Sequence, residues 1–204
     1  MPTLTFWYDF ASTYSFLAAE AVDDAAAVAG VEVTWRPFLL GPIFAGQGYT
    51  TSPFNLYPAK GRHMWRDLAR LAARLGYPAI VRPDPFPANG LLAARVATAL
   101  ADTDRPAFSR AVFRAEFVGG ADIADRSVMA RLLTALCHDA EAVLARAASD
   151  EVKASLRAAT AAAEQRGIFG APSFTAADGE LFWGSDRLAD ALAFAQGQRW
   201  GLPA

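Results

Sequence analysis

Leu4-Thr5-Phe6-Trp7-Tyr8-Asp9-Phe10-Ala11-Ser12-Thr13 passes from a strand pattern straight into the start of a helix. Its first half is short, β-branched and aromatic, the composition of a buried strand. Ser12 then stands where a helix from about Thr13 to Ala29 needs a side-chain oxygen for its free N–H groups, and Gly30 supplies the stop. Val31-Glu32-Val33-Thr34-Trp35-Arg36 alternates as a second strand and ends at Pro37. A strand, a helix and a strand in this order place the two strands parallel, joined by a right-handed crossover.

Beyond that unit, Gly41 to Pro58 is rich in Gly, Pro, Ser and Thr and reads as one long loop. From about Lys60 to Arg166 the signal is almost wholly helical. Trp65, Leu68, Ala69, Ala72 and Leu75 recur at helical spacing, as do Leu92, Val96 and Leu100, and then Phe108, Val112 and Phe113. Breaks fall at Gly76-Tyr77-Pro78, Pro83 to Pro87, Arg105-Pro106 and Gly119-Gly120. Ser149 caps an alanine-rich helix carrying Val152, Leu156, Ala159 and Ala163 on one face, stopped by Gly167. The chain then returns to strands: Ser173-Phe174-Thr175 and Leu181-Phe182-Trp183 flank the turn signal Asp178-Gly179, and a final helix holds Leu188, Leu192 and Phe194. With the helical block set aside, a β-α-β-β-β-α remnant is left, the thioredoxin topology. The expected fold is α/β, with residues 1–59 and 167–204 forming a thioredoxin-like domain and 60–166 an all-helical insertion.

Bulk composition excludes several functions. Hydrophobic residues make up 53% and charged residues 20% of the 204, which fits a packed globular chain. A formal charge of −2 with scattered Lys and Arg offers no basic stripe for nucleic acid. The only cysteine, Cys137, allows no intrachain disulfide and no Cys-x-x-Cys, and with only His63 and His138 beside it no metal site is expected. The N-terminus lacks a basic and apolar leader, and no apolar run is long enough for a membrane span, so a cytoplasmic protein is expected. Ser12 itself argues against dithiol redox chemistry, since a hydroxyl cannot form a disulfide.

Three segments, taken in order and spacing, resemble the 2-hydroxychromene-2-carboxylate isomerases and the related kappa-class glutathione transferases. They are Phe6 to Ser15, Gly167-Ile168-Phe169-Gly170-Ala171-Pro172-Ser173-Phe174, and Trp183-Gly184-Ser185-Asp186-Arg187-Leu188. Both groups are thioredoxin folds with a helical insertion, like the periplasmic disulfide oxidase. The likeness spans nearly the whole chain. It departs from the family habit at Thr13, where proline is frequent after the serine.

The resemblance implies roles for particular residues, each beside a plainer reading. Ser12 is a helix cap, and the same helix N-terminus stabilises an anion; the resemblance makes that anion the thiolate of glutathione. Pro172 opens a strand, and the resemblance implies a cis Ala171–Pro172 bond with the Ala171 backbone pairing with the cysteinyl part of glutathione. Ser185 and Asp186 read as caps of the last helix, and the resemblance gives them the carboxylate and ammonium of the γ-glutamyl end. Lys60 is a surface lysine or the partner of the glycyl carboxylate. Tyr14, Phe44, Trp65 and Phe169 are aromatic candidates for the wall of a co-substrate pocket, or simply core. The implied activity is a glutathione-dependent isomerase of 2-hydroxychromene-2-carboxylate-type aromatic acids, as met in aromatic-compound degradation, acting as a homodimer on a small aromatic substrate. Two alternatives stay open: a kappa-like glutathione transferase, and a non-catalytic peptide-binding module on the same fold.

Overall fold

The computed structural model describes residues 1–77 and 79–201, so Pro78 of the expected break lies outside the described residues. Strand β1 (Thr3–Tyr8) leads into helix α1 (Thr13–Ala29) and strand β2 (Glu32–Pro37), which pairs parallel with β1. Ser12 caps α1 by accepting from Ser15 N, and Gly30 closes it in the left-handed conformation with φ of 63°. Strands β3 (Ser173–Ala176) and β4 (Leu181–Trp183) form the hairpin around Asp178-Gly179, with φ of 96° at Gly179. β3 runs antiparallel to β1, and the four-stranded order is β2-β1-β3-β4.

Period-two alternation along β1 divides its side chains between two layers. Leu4, Phe6 and Tyr8 face α1 and the core, where Phe6 stacks on Phe174 and meets Trp35 edge-to-face, while Thr5 and Trp7 face the other side. Burial of each such aromatic contributes about 1.5–3 kcal/mol. The polar ends of the core aromatics are satisfied: Tyr8 Oη shares a 2.7 Å hydrogen bond with Ser109 Oγ, and Trp7 Nε1 donates to Thr175 Oγ1 at 2.9 Å.

The segment expected as one long loop is instead two short helices, α2 (Leu40–Gly46) and α3 (Pro53–Leu56), followed directly by α4 (Pro58–Arg74). Its composition misled because the stabilising contacts are not local. Leu40 N is held by Asp9 Oδ2 at 2.7 Å, and Ile43 is buried against Trp7 and Phe38. Ser52 then caps α3 at Phe54 N, with Pro53 in the first turn. In α4 the buried face is Gly61, Met64, Leu68 and Ala72; Leu75 is exposed.

The remaining helices are α5 (Leu91–Ala99), α6 (Arg105–Phe117), α7 (Arg126–Ala135), α8 (Ala140–Ala147), α9 (Asp150–Gln165) and α10 (Leu188–Ala195). Phe113 and Phe117 of α6 meet Phe16 of α1, which joins the helices to the sheet in one continuous core. α10 buries Leu188, Leu192 and Phe194. Its approach differs from expectation: Ser185–Arg187 form a 3-10 turn and make no side-chain cap, after Gly184 with φ of 114°. Cys137 lies just after α7 in the left-handed conformation, with φ of 63°. Among the described residues no helix is long and apolar enough to cross a membrane.

Arg105 closes the outer edge of the sheet. Its guanidinium donates to Ala97 O, Leu100 O and the β2 carbonyl of Trp35 at 2.7, 3.0 and 3.2 Å. Arg105→Lys keeps the charge but cannot reach three carbonyls in different directions. It is expected to lower stability by about 1–2 kcal/mol, read as a lower urea midpoint with an unchanged slope.

Candidate active site

The turn between β1 and α1 is built around Asp9. Its carboxylate accepts from Ala11 N at 2.8 Å and Leu40 N at 2.7 Å, while its backbone carbonyl accepts from Ser12 N at 3.0 Å. Burial raises the Asp9 pKa, opposed by those two N–H donors. Ser12 is thereby fixed at the head of α1. Its Oγ accepts from Ser15 N at 3.1 Å and donates to Ala171 O at 2.9 Å. The Ala171–Pro172 bond is cis. The first and second sequence segments therefore meet through a direct hydrogen bond.

The third segment joins them. Gly184 N donates to Pro172 O at 3.0 Å, which sets the Ser185–Arg187 turn beside the Pro172 loop and against α1. Phe169 and Trp183, both about half exposed, pack at 4.8 Å between ring centres over Gly170. Tyr14, in the first turn of α1, donates to Asp67 Oδ2 of α4 at 3.1 Å. Its pKa is pushed up to about 12, first by burial, then by Asp67, with Asp186 adding to the rise. Two carboxylates from distant parts of the chain thus act on Tyr14, Asp67 through a hydrogen bond and Asp186 through its charge. Asp67 pairs with Arg70 at 3.0 Å, and Asp186 with Arg187 at 3.2 Å.

The thioredoxin topology, the cis peptide bond beside the head of α1 and the helices between β2 and β3 decide the fold family. The DSBA-like thioredoxin domain model matches residues 3–194. The chain belongs to that family. Within it, this DSBA-like chain is 31% identical over 188 residues to the 2-hydroxychromene-2-carboxylate isomerase of Sphingobium xenophagum, covering 91% of this chain and 94% of the relative. It is 30% identical over 216 residues to human glutathione S-transferase kappa 1, covering 98% and 93%. Among solved structures, a 2-hydroxychromene-2-carboxylate isomerase superposes with a TM-score of 0.84 at 25% identity, covering 96% of this chain and 94% of that one. The relatives are thus enzymes, an isomerase and a transferase.

On the DSBA-like chain, the geometry gathers some of the sequence candidates and leaves others apart. Ser12, Ala171, Pro172, Ser185, Asp186 and Tyr14 belong to one neighbourhood at the head of α1, and Phe169 adjoins it through Trp183. Lys60 lies in the first turn of α4 with its ammonium 5.0 Å from the centre of the Tyr57 ring. Phe44 packs on Tyr49 in the α2 region, at 5.7 Å between ring centres. Trp65 is half-buried and faces a group for which no sequence pattern carries a signal. Phe86 packs edge-on against it at 4.9 Å, and the Arg82 guanidinium lies 5.7 Å from its ring centre. Asn55 Nδ2 donates to Phe86 O at 2.8 Å, holding that loop to α3. The same loop reaches the Ser12 turn at Gly90, where an added Cβ would lie 3.6 Å from Ala11 N. Asp67, Arg82 and Phe86 are therefore additions to the candidate site. Among the described residues no three His, Cys, Asp or Glu side chains cluster as metal ligands.

Proposed function

We propose that this chain is a glutathione-dependent isomerase of a 2-hydroxychromene-2-carboxylate-type aromatic acid. The observation that carries the reading is the Ser12 hydroxyl, held at the head of α1 on the carbonyl of Ala171, next to cis-Pro172. Glutathione would supply the nucleophile, a thiolate that adds to the substrate skeleton, frees rotation about a former double bond and departs again.

The chain's own residues hold that nucleophile as an anion. The first N–H groups of α1 carry partial positive charge toward the Ser12 position. Ala171 O takes the tripeptide's backbone N–H as an added strand would, which releases the Ser12 proton to face the sulfur. Asp186 and Asp67, whose charges both reach Tyr14, suit the γ-glutamyl ammonium, and the Ser185 hydroxyl its carboxylate. Lys60 serves the glycyl carboxylate by extending from the first turn of α4. Arg82, beside Trp65 and Phe86, supplies the cation and aromatic wall that an aromatic carboxylate substrate requires.

The test is a glutathione titration followed by thiolate ultraviolet absorbance. Wild type is expected to show bound thiolate near neutral pH. Ser12→Ala is expected to bind glutathione while raising the bound thiol pKa by about one unit. An unchanged thiolate signal would show that Ser12 only caps its helix. The kappa-class relative supports a transferase as the second reading. Product analysis separates the two: an isomerase returns glutathione unmodified, a transferase consumes it.

A further inference from the structure

A cavity of ≈ 560 Å³ lies on the side of the sheet away from α1, and no residue of the candidate active site lines it. Its floor is the outward face of β1 and β3, Thr5, Trp7 and Thr175, and one wall is the alanine-rich side of α9 around Ala162. Two arginines converge on it. The parallel register sets Arg36 beside Trp7, with its guanidinium carbon 5.9 Å from the indole centre. Arg166, at the end of α9, approaches the same ring to 5.6 Å and is steadied by donating to Ala162 O at 3.0 Å. Neither arginine joins an ion pair among the described residues. The one carboxylate at the rim, Asp178, is paired with Arg199 at 3.3 Å.

We infer that this cavity is a second binding site, for a planar organic anion of the aryl carboxylate class. Cation–π contact holds each guanidinium at the ring but leaves its charge unneutralised, and two like charges at one indole repel. A carboxylate between them removes that repulsion and meets the planar donor edge of a guanidinium in bidentate fashion. The small side chains of α9 leave an apolar wall for a flat hydrocarbon body, which inorganic phosphate would not use. The volume is within the usual range for small-molecule sites. The indole is fixed by its bond to Thr175 Oγ1, so the ligand meets a preformed surface. This inference does not depend on the glutathione reading of Ser12.

The indole N–H resonance of Trp7, assigned by its loss in Trp7→Phe, reports on this site. Titrating 2-naphthoate into the full chain is expected to shift it saturably, with glutathione present or absent. Arg36→Gln and Arg166→Gln are each expected to weaken that binding about tenfold, and neither should alter the thermal melt because both side chains are exposed. The neutral analogue 2-naphthalenemethanol is expected to shift the resonance far less. A shift that survives in the double variant, or is equal with the neutral analogue, overturns the site. Inorganic phosphate displacing naphthoate at comparable concentration overturns the aryl carboxylate class. A Trp7 resonance that moves with protein concentration alone overturns the proposal in favour of a second copy covering the arginines.

Discussion

Glu116→Gln is expected to leave stability near that of wild type at pH 4.5 and to exceed it by a growing margin as pH rises to 8. Glu116 lies in α6, wholly buried, and neither of its carboxyl oxygens has a hydrogen-bond partner among the described residues. Burial raises its pKa well above the ordinary 4.5, and the charges of Asp9 and Asp122 push in the same direction. The folded chain therefore keeps a proton on Glu116 over a pH range in which the unfolded chain has released it. Stability is complete below the unfolded value and declines as pH rises toward the folded one, by at most about 1.4 kcal/mol per pH unit. Glutamine removes that decline, because it never ionises, and retains nearly the same volume. Asp9 is also raised by burial, so a shallower slope of the same sign persists in the variant. Urea midpoints at pH 4.5, 6 and 8 measure the difference. Parallel curves for the two proteins would show that Glu116 ionises freely in the fold.

Glu116 also illustrates what a sequence hides. In Phe113-Arg114-Ala115-Glu116-Phe117 a glutamate one residue before a core phenylalanine looks like the solvated side of an amphipathic helix. Only the packing of α6 against the neighbouring elements shows that it is interior. Asp67 and Arg82 are invisible for the same reason, since a charged residue inside an amphipathic helix or in a loop is ordinary until Tyr14 and Trp65 are placed beside them. The features that were legible are those with local causes. The β1 composition, the Ser12 cap, Gly30 in its left-handed conformation and the Asp178-Gly179 turn are each determined within a few residues. α2 is the counterexample. Its Gly41-Pro42 start reads as loop, and its leading N–H is satisfied by Asp9, which is distant in sequence. Ser185 failed in the opposite sense, a good capping residue placed after a glycine whose φ of 114° turns the chain into a 3-10 segment instead.

Family likeness, by contrast, carried the placement of Ser12 against Ala171–Pro172, which no local pattern contains. The two segments lie far apart in sequence and meet because β1 and β3 are adjacent in the sheet, with Trp7 opposite Ser173. The strand pairing thus does for the site what the capping does for the helix: it determines where a hydroxyl can point. The cavity at Arg36 and Arg166 depends on the same strands, seen from their other face. One sheet therefore presents two chemically distinct surfaces, an anion-stabilising helix end on one side and a cationic, indole-floored cavity on the other.

Gly61→Ala is expected to destabilise the protein by about 2–3 kcal/mol, a melting temperature lower by about 5–10 °C, and to weaken glutathione binding. In most helices the opposite sign holds, since alanine is about 1 kcal/mol better than glycine in a helix interior. Gly61 lies in the first turn of α4, directly after Lys60, and is buried against α3. A Cβ there would run into the backbone carbonyl oxygen of Phe54, well inside van der Waals contact. A backbone atom cannot swing aside as a side-chain end can, so α3 must move off α4. That movement carries Phe54 away from Tyr14, to which it packs at 6.5 Å, and Asn55 away from Phe86 O. Overpacking therefore outweighs the gain in helix propensity, and its consequences fall on residues assigned to the glutathione and substrate walls. Gly41→Ala is the control: it lies in α2, a Cβ meets nothing within 4 Å beyond its chain neighbours, and because Pro42 offsets the gain in helix propensity it is expected to stay within about 1 kcal/mol of wild type. Thermal melts of both variants, with a glutathione titration of each, separate the two effects. A Gly61→Ala protein as stable as Gly41→Ala would mean that α3 and α4 are not packed at this distance.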